Sequence, residues 1–385
     1  MTRLASCARL AGIALLAGIV GQAPALAEFK PDPLVADQLP AEAGPHWVWV
    51  NDVVFHHMVD GKAFLVDGDS GRMLGMLSTG FGFNGVVLGK GGAEILSPET
   101  YFSRGTRGER TDVVTYYGGR TLSAVAEVTI PSKRASHMPM LASARVTDDF
   151  KFLLLYNFTP AQSVSVVDVA ARKFVGEIET PGCALVYPTG KRSFFSLCGD
   201  GAALQVELDD SGRGSSKKRT AKLVDPVTDP VTEKGVRDGN AWIFVTFTGN
   251  VVRLEPNDSG LQAQPAWSLL DESDRKSSWR PGGMQHLALH ASTKRLYSLM
   301  HVGGVDSHKD PGTEVWVYDT AGKRRTQRIV LKEMATSIAV TRDAKPLLFA
   351  IFIGAPKVDV YDALSGKFLR SIGEIGFTPS TLVTY

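Results

Sequence analysis

The sequence predicts an all-β protein, a seven-bladed β-propeller. Past residue 46, the chain consists almost wholly of short alternating or β-branched runs broken by Gly, Asp, Asn and Pro, which is the pattern of strands and turns. One unit recurs along it: an apolar strand ending in Asp or its equivalent, a small turn and a second strand. The copies lie about 49 residues apart between Asp67 and Asp362, and a period of roughly 40 to 50 residues built of short strands is typical of propellers.

Seven copies of this unit can be counted. The four clear copies are 64–67 with 70–75, 164–168 with 173–176, 315–319 with 321–323, and 358–362 with 365–369. The three weaker copies are 113–117, 204–208 and 251–255. A single β-sandwich does not need seven copies of one hairpin, and a two-domain α/β enzyme would need long amphipathic helices. Only one modest helical candidate, 268–276, is present. Seven blades is the prediction, with six or eight within its margin.

Composition and the N-terminus indicate an exported globular protein. An apolar fraction of 44% excludes dominant disorder, and a net charge of +2 is too small to indicate a nucleic-acid partner. Arg3 and Arg9, the apolar run 10–20 and Ala25-Leu26-Ala27 are typical of a cleaved signal peptide. That apolar run is too short to span a membrane, and no later segment is long enough. We expect a signal peptide at 1–27, an N-terminal arm at 28–46 and the propeller domain at 47–385, located in a bacterial periplasm.

Two cysteines remain after cleavage, Cys183 and Cys198. Each lies at the end of a strand-like stretch, and the turn 188–190 lies between the two stretches. Such a hairpin brings its ends within disulfide range, and exported proteins keep such bonds. We predict the disulfide; the alternative is a pair of buried free thiols.

Three motifs suggest chemistry that their context does not support. The spaced glycines of 80–85 match a dinucleotide motif, but a strand and a turn follow instead of a helix. The stretch 68–71 is similar to a serine-protease nucleophile loop, yet it lies at a hairpin turn of the repeat. His286 and His290 are four residues apart, and we interpret them as part of a polar propeller face rather than as metal ligands.

Several stretches resemble the heavy subunit of the bacterial quinoprotein amine dehydrogenases, the methylamine and aromatic amine enzymes. They are Phe-Ser-Arg at 102–104 with Arg-Gly-Glu-Arg-Thr-Asp-Val at 107–113, Trp-Arg-Pro-Gly-Gly at 279–283, Cys-Gly-Asp-Gly at 198–201, and Lys-Pro-Leu-Leu at 345–348. The resemblance extends from about Val48 to the C-terminus, and the spacing of the two cysteines is similar to that of the family's heavy-chain disulfide. Heavy chains of this family are seven-bladed propellers, in agreement with the repeat count.

The resemblance implies a periplasmic α2β2 assembly whose light subunit carries tryptophan tryptophylquinone. Such an assembly oxidatively deaminates primary amines to aldehyde and ammonia. It passes electrons to a blue copper protein, amicyanin- or azurin-like, or to a cytochrome c. This chain would then be a scaffold with no catalytic residue, metal or covalent cofactor of its own. Its six Trp residues, at 47, 49, 242, 267, 279 and 316, would be structural.

The resemblance also implies one site residue, Phe55. In the family, a Phe that follows an Asn-Asp pair on the first strand narrows the substrate channel. Here Asn51 and Asp52 precede Phe55, although the methylamine type places its Phe one position later, where this chain has His56. The alternative interpretation makes Phe55 a core aromatic of the first blade.

Different stretches of the sequence resemble the two substrate types of the family. The stretches 300–301, 307–309 and 314–317 are closer to the aromatic amine type, whereas 107–110 is closer to the methylamine type, so the sequence leans slightly to aralkylamines. The competing hypothesis, from a different class, is a periplasmic propeller that binds a protein or ligand and has no redox role.

Overall fold

Each repeated hairpin of the sequence lies in its own β-sheet. The computed structural model describes residues 37–56, 58–83, 85–137, 139–257 and 260–385, and residues 38–385 form one compact unit. Within the described ranges, the strands form seven antiparallel sheets of four or five strands. The prediction of a seven-bladed β-propeller is therefore confirmed. The predicted signal peptide and residues 28–36 of the predicted arm lie outside the described residues.

The first four sheets account for the N-terminal half of the propeller. The first contains β1 (Trp47–Asp52), β2 (Gly61–Asp67) and β3 (Met73–Gly80). The second contains β4 (Val87–Leu88), β5 (Glu94–Phe102), β6 (Arg110–Gly118) and β7 (Ala124–Ile130). The third contains β8 (Ala144–Val146), β9 (Phe152–Asn157), β10 (Ser163–Asp168) and β11 (Lys173–Glu179). The fourth contains β12 (Cys183–Pro188), β13 (Ser193–Cys198), β14 (Ala203–Leu208) and β15 (Gly214–Arg219).

The last three sheets complete the ring. The fifth contains β16 (Val236–Asp238), β17 (Ala241–Val245), β18 (Asn250–Asn257), β19 (Gly260–Ala263) and β20 (Trp267–Ser268). The sixth contains β21 (Trp279–Pro281), β22 (Leu287–His290), β23 (Arg295–Val302), β24 (Gly312–Asp319) and β25 (Arg324–Ala335). The seventh contains β26 (Ser337–Val340), β27 (Leu347–Ile351), β28 (Lys357–Asp362) and β29 (Phe368–Gly373). The last strand, β30 (Pro379–Thr384), pairs with β1 and so closes the ring.

The predicted repeat has a structural counterpart in every sheet. When β30 is counted as the innermost strand of the first sheet, all seven copies lie on the third strand: β2, β6, β10, β14, β18, β24 and β28. The Asp that ends several of these strands caps the following turn. Asp67 Oδ1 accepts from the backbone N–H of Asp69 at 3.0 Å, and Asp362 Oδ1 accepts from that of Ser365 at 2.7 Å. Such Asx turns favour a reversal of the chain.

This turn geometry also accounts for the stretch at 68–71. Ser70 Oγ donates to Asp67 Oδ2 at 2.5 Å, so the hydroxyl is part of the turn and is held by the strand it follows. Gly71 adopts a φ of 75°, a region that favours glycine. The stretch is a hairpin turn, as the repeat predicts, and not a nucleophile loop.

The core lies between neighbouring sheets rather than inside any one of them. One apolar cluster joins Leu96 and Val114 of the second sheet to Leu153 and Leu155 of the third, and all four side chains are buried. Other clusters join the remaining neighbours in the same way. Each sheet is too small to bury its own apolar faces, so stability comes from the contacts between blades.

Helical structure is short. The predicted helix near 268–276 is present as α1 (Glu272–Lys276), which begins with a capping box between Asp271 and Asp274. Single 3-10 turns occur at Lys90–Gly92, Leu141–Ser143 and Ala291–Thr293. None of the helices in the described ranges has the length and apolar character needed to cross a bilayer.

A disulfide joins Cys183 to Cys198 across the hairpin of β12 and β13. The two cysteines lie directly opposite each other in the strand register, as the sequence predicts, and both are buried. The bond therefore ties together the first two strands of the fourth sheet.

Removing this bond should destabilise the protein. The disulfide spans 15 residues of sequence, and closing a loop of this length stabilises the folded state by about 3 kcal/mol in the chain-entropy model. We expect the double variant Cys183→Ser, Cys198→Ser to lose about that free energy of unfolding in urea titrations. Non-reducing digestion of the wild type should yield one linked peptide pair. Full alkylation of both thiols without reductant would contradict the prediction.

Candidate functional site

The antiparallel order of each sheet divides the loops between two faces. The loops that join second to third strands, and the connections from one sheet to the next, lie at the same end of the strands. We call this end the upper face. The turns that join first to second and third to fourth strands lie at the opposite end, the lower face.

Exposed apolar side chains are concentrated on the upper face. On the described part of the chain, the large exposed apolar residues in upper-face loops or at adjacent strand ends are Phe55, Val59, Tyr101, Phe158, Val227, Val302, Val305 and Phe377. The lower-face turns of the same ranges expose one, Leu364, and the remaining exposed apolar residues lie on outer strands. The upper face therefore exposes more large apolar side chains than the lower face does.

Phe55 lies in this upper face. It sits in the loop that follows β1, not on the first strand as the resemblance implies, because β1 ends at Asp52. Its side chain is 59% exposed and meets Phe83 edge to face, with ring centroids 6.1 Å apart. The alternative that Phe55 is a core aromatic of the first blade is wrong, since a core side chain would be buried.

The carboxylate of Asp52 holds the loop that carries Phe55. Its Oδ1 accepts from the backbone N–H of Val54 at 2.8 Å and from the N–H and hydroxyl of Thr378 at 3.0 Å each. Its Oδ2 accepts from the N–H of Phe377. The Phe55 N–H in turn donates to Thr378 Oγ1 at 2.8 Å. One buried carboxylate thus fixes the backbones of two exposed phenylalanines.

Asn51 makes a similar connection to the next sheet. It is fully buried, its Nδ2 donates to Thr381 Oγ1 at 3.1 Å, and its Oδ1 accepts from the Val86 N–H at 3.1 Å. The Asn-Asp pair that identified Phe55 in the sequence therefore joins β30, the loop after β1 and the connection from β3 to β4.

The glycines at 80–85 serve the same loop cluster. Gly82 has a φ of 91°, and a Cβ there would lie 2.1 Å from the Ser136 carbonyl oxygen. The Gly82 N–H donates to the Met58 carbonyl at 3.0 Å, and the Phe83 N–H donates to the Ser136 carbonyl at 2.9 Å. Over the described residues 81–83 and 85–86 this segment is a loop between two strands, so it has no helix N-terminus to receive a pyrophosphate.

Three histidines lie in the strands and loops of the sixth sheet and contact residues of neighbouring loops. His301 Nε2 and Ser307 Oγ are 2.8 Å apart, and the ring of His308 stacks on Phe247 with centroids 3.8 Å apart. His286 Nε2 is 3.3 Å from Thr232 Oγ1. Burial lowers the pKa of all three imidazoles, so each is neutral at pH 7.

The interpretation of His286 and His290 as members of a polar face is wrong, because both are buried. His290 Nδ1 lies 2.6 Å from Thr293 Oγ1, and His290 Nε2 lies 2.9 Å from the Asp343 carbonyl oxygen. Packing accounts for His290, which ends β22, whereas His286 lies just before β22 and its Nδ1 is buried without a hydrogen-bond partner among the described residues. Within the described ranges, no group of three or more His, Cys, Asp or Glu side chains is arranged to hold a metal ion.

The tryptophans are parts of the blades. Trp49, Trp242 and Trp316 are buried, and each indole N–H donates a hydrogen bond: to Tyr385 Oη, to the Pro188 carbonyl and to the Glu314 carboxylate respectively. The other three are half-buried and pack against apolar clusters: Trp47, Trp267 and Trp279.

The most specific motif of the resemblance forms a buried ion pair beside the upper face. Arg110 donates to both oxygens of Asp112 at 2.8 and 2.7 Å, and Asp112 is fully buried. Asp112 also accepts from the Arg134 N–H at 3.2 Å and from Thr100 Oγ1 at 2.8 Å. These contacts anchor the exposed loop 103–109 to the loop that follows β7.

The resemblance named Phe55 as a candidate, and sequence reasoning did not identify the aromatic residues near it. Phe83 and Phe377 belong to loops that lie far apart in the chain, and only the closure of the ring by β30 brings Phe377 beside Asp52. The available signal was the presence of large aromatics in Gly-rich connecting segments, where exposure is unfavourable unless another surface covers them.

Comparison with known proteins supports this description. The family model of the methylamine dehydrogenase heavy chain matches residues 45–385. The methylamine dehydrogenase heavy chain of Methylophilus methylotrophus is 30% identical over 337 residues, which cover 87% of this chain and 82% of that protein. The heavy chain of Methylorubrum extorquens is 29% identical over 363 residues, which cover 92% and 85%.

Solved structures share the fold at low identity. A protein of unknown function from Desulfotomaculum acetoxidans superposes with a TM-score of 0.62 at 11% identity, covering 88% of this chain and 98% of that one. Dihydro-heme d1 dehydrogenase gives a TM-score of 0.56 at 16% identity, covering 91% and 80%. At this identity the superpositions show only the propeller fold, whereas the family match covers nearly the whole described chain. The chain belongs to the methylamine dehydrogenase heavy chain family.

Proposed function

We propose that this chain is the scaffold subunit of a periplasmic amine dehydrogenase and that it holds a smaller, quinone-bearing light subunit. The observation that carries the proposal is the match of residues 45–385 to the heavy-chain family, together with the exposed aromatics of the upper face. The overall reaction converts a primary ammonium ion and water to an aldehyde, an ammonium ion, two protons and two electrons.

The light subunit docks on the upper face in this proposal. Phe377 is 70% exposed and Phe158 56% exposed, and aromatic anchors of this kind dominate the energy of interfaces. Their loops are held in place before docking, because Asp52 binds the Phe377 backbone and the Phe158 N–H donates to the Lys133 carbonyl at 2.9 Å. A rigid apolar surface loses little conformational entropy on binding.

This chain contributes binding and positioning rather than bond-making groups. The quinone, proposed to be tryptophan tryptophylquinone formed within the light subunit, supplies the electrophilic carbonyl that accepts the electrons of the amine. Phe55 and Phe83 form an apolar wall beside the docking surface, which narrows the path of the amine and excludes water from it. The Asp52 contacts hold that wall at a fixed position.

The finer assignments belong to the same proposal. We infer export by residues 1–27, an arm at 28–46, an α2β2 assembly, and electron transfer to a blue copper protein or a cytochrome c. The substrate is a primary amine, methylamine or an aralkylamine, and the space beside Phe55 determines which one. The support is the family match and the motifs at 102–113 and 279–283.

Purification from the native host tests the proposal. The affinity-tagged chain should co-purify with a smaller chain that carries quinone absorbance. The variant Phe377→Lys should retain roughly tenfold less of this partner, because burying a charge in place of an aromatic anchor weakens an interface strongly. The matched control Leu364→Lys changes the exposed apolar residue of the lower-face turns and should retain the partner fully.

Two results would contradict this assignment. Purification of the chain without any quinone-bearing partner would favour a propeller that only binds a protein or ligand. Equal loss of the partner in Phe377→Lys and Leu364→Lys would show that the upper face is not the docking surface.

A further inference from the structure

The centre of the ring contains a group of arginines that the proposed function does not use. Two adjoining cavities of about 770 and 810 Å³ occupy the axis. Arg145 on β8, Arg237 on β16 and Arg342 just after β26 line both of them. These residues come from the third, fifth and seventh sheets, so the fold itself brings three guanidinium groups into one channel.

Only one of the three arginines has a carboxylate partner. Arg237 forms a bidentate ion pair with Asp148 at 2.5 and 2.9 Å. Over the described ranges, Arg145 and Arg342 take part in no ion pair and no side-chain hydrogen bond, and the Nε of Arg145 is buried without a partner. Arg145 instead lies over the ring of Trp242, 5.8 Å from its centroid.

The remaining charged residues of the channel do not neutralise Arg145 and Arg342. Lys234 and Glu233, at the upper end, lie 3.4 Å apart and offset each other. Glu42 lines the mouth of the second cavity and is exposed. Two positive charges therefore remain unpaired beside Asp148, whose carboxylate is already engaged by Arg237.

The electrostatics of Arg145 reflect this surplus of charge. Burial lowers its pKa to about 10; Tyr187 acts in the opposite direction, and the positive charges of Arg342 and Arg237 lower the pKa further. Arg342 faces the cavity, and enclosure by its walls lowers its pKa as well. Arg145 is half-buried, whereas Arg342 is exposed to the cavity. The cost of an unpaired cation therefore falls mainly on Arg145, and an anion that bound there would recover it.

We propose that the lower half of this channel binds a small doubly charged oxyanion, such as phosphate or a short dicarboxylate, between Arg145 and Arg342. The planar forks of two guanidinium groups match the oxygen pairs of phosphate and carboxylate groups. The ion pair of Arg237 with Asp148 forms one wall of the site, and the guanidinium of Arg145 packs on the ring of Trp242. The bound anion links sheets that are not neighbours in the ring.

Titration of the full-length exported chain tests the site. Sodium phosphate and sodium succinate are added in separate experiments at constant ionic strength, balanced with sodium chloride, and binding is followed by calorimetry and thermal melts. We expect saturable binding of one anion per chain with a rise in melting temperature, since a ligand of the folded state stabilises it. The tighter of the two anions identifies whether the site prefers a phosphate or a dicarboxylate.

Variants assign the binding to the arginines. Arg342→Gln should weaken binding at least tenfold and leave the protein folded, because Arg342 is exposed and its side chain forms no hydrogen bond or ion pair with the described residues. Arg342→Lys keeps the charge without the fork and should give an intermediate affinity. Arg324→Gln, on the outer strand β25 with a 75% exposed side chain, is the matched control and should bind as the wild type does.

The proposal fails if neither anion gives saturable binding above the chloride baseline. It fails equally if Arg342→Gln binds with unchanged affinity, because binding would then occur elsewhere. Neither outcome depends on a light subunit, so the result is independent of the proposed function.

Discussion

The isolated, folded chain should show no amine-dependent reduction of an artificial dye, and activity should appear only when the proposed light subunit is added. Removal of an amine's electrons requires an electrophilic carbonyl, which none of the ordinary side chains provides. The described upper face offers apolar rings and backbone contacts, and its buried carboxylates Asp52 and Asp112 accept structural hydrogen bonds. The measurement is steady-state dye reduction with methylamine and with an aralkylamine such as phenylethylamine.

Two controls make the absence of activity meaningful. The isolated chain must give a cooperative thermal melt and contain the linked peptide of Cys183 and Cys198, which shows that it is folded. After recombination with the purified light subunit, the same preparation must show both turnover and quinone absorbance. Robust turnover by the isolated chain would refute the scaffold role, since the catalytic group would then lie on this subunit.

The fold could be predicted because each blade repeats a local signal. An Asp at the end of the third strand, as at Asp67, Asp319 and Asp362, caps a tight turn through its own carboxylate. The geometry depends on residues within three or four positions, so it can be read from the chain without knowledge of the neighbours. The disulfide was predictable for the same reason, because Cys183 and Cys198 face each other across one hairpin.

The candidate site was harder to predict from the sequence, because it forms only when the ring of sheets closes. The environment of Phe55 is set by Thr378, more than 300 residues away in sequence, whose hydroxyl accepts from the Phe55 N–H. Alternating apolar patterns indicate that strands pair, but they do not reveal which loops meet above the sheets. The sequence therefore identified Phe55 through resemblance to a family, and placed it on a strand rather than in the loop that follows it.

The channel arginines illustrate a further limit. Arg145 and Arg237 lie on short inner strands of three residues each, where no periodicity distinguishes a residue that faces the axis from one that faces a neighbouring sheet. Arg342 lies in the connection between β26 and β27. Convergence of the three charges is a property of the closed ring, and the local sequence around each arginine is that of an ordinary polar surface.

Phe55→Ala should change which amines the assembled enzyme prefers. The side chain is 59% exposed in the isolated chain and contacts Phe83, so its removal enlarges the proposed path without opening the core. Pocket volume discriminates apolar substrates by about 1–3 kcal/mol, and we therefore expect the kcat/KM ratio of a bulky to a small amine to shift by about tenfold or more. The quinone should still form, since the proposed function assigns it to the light subunit.

Thermal melts and a second variant distinguish this role from simple packing. Loss of the edge-to-face contact with Phe83 should lower the free energy of unfolding by about 1 kcal/mol, well below the roughly 3–5 kcal/mol that truncation of a buried Phe costs. Phe158→Ala is the matched control, because Phe158 is 56% exposed on the same face but belongs to the third sheet. It should weaken docking of the light subunit but leave the amine ratio of the assembled enzyme unchanged. A ratio that shifts equally in both variants, or in neither, would show that Phe55 does not narrow the substrate path.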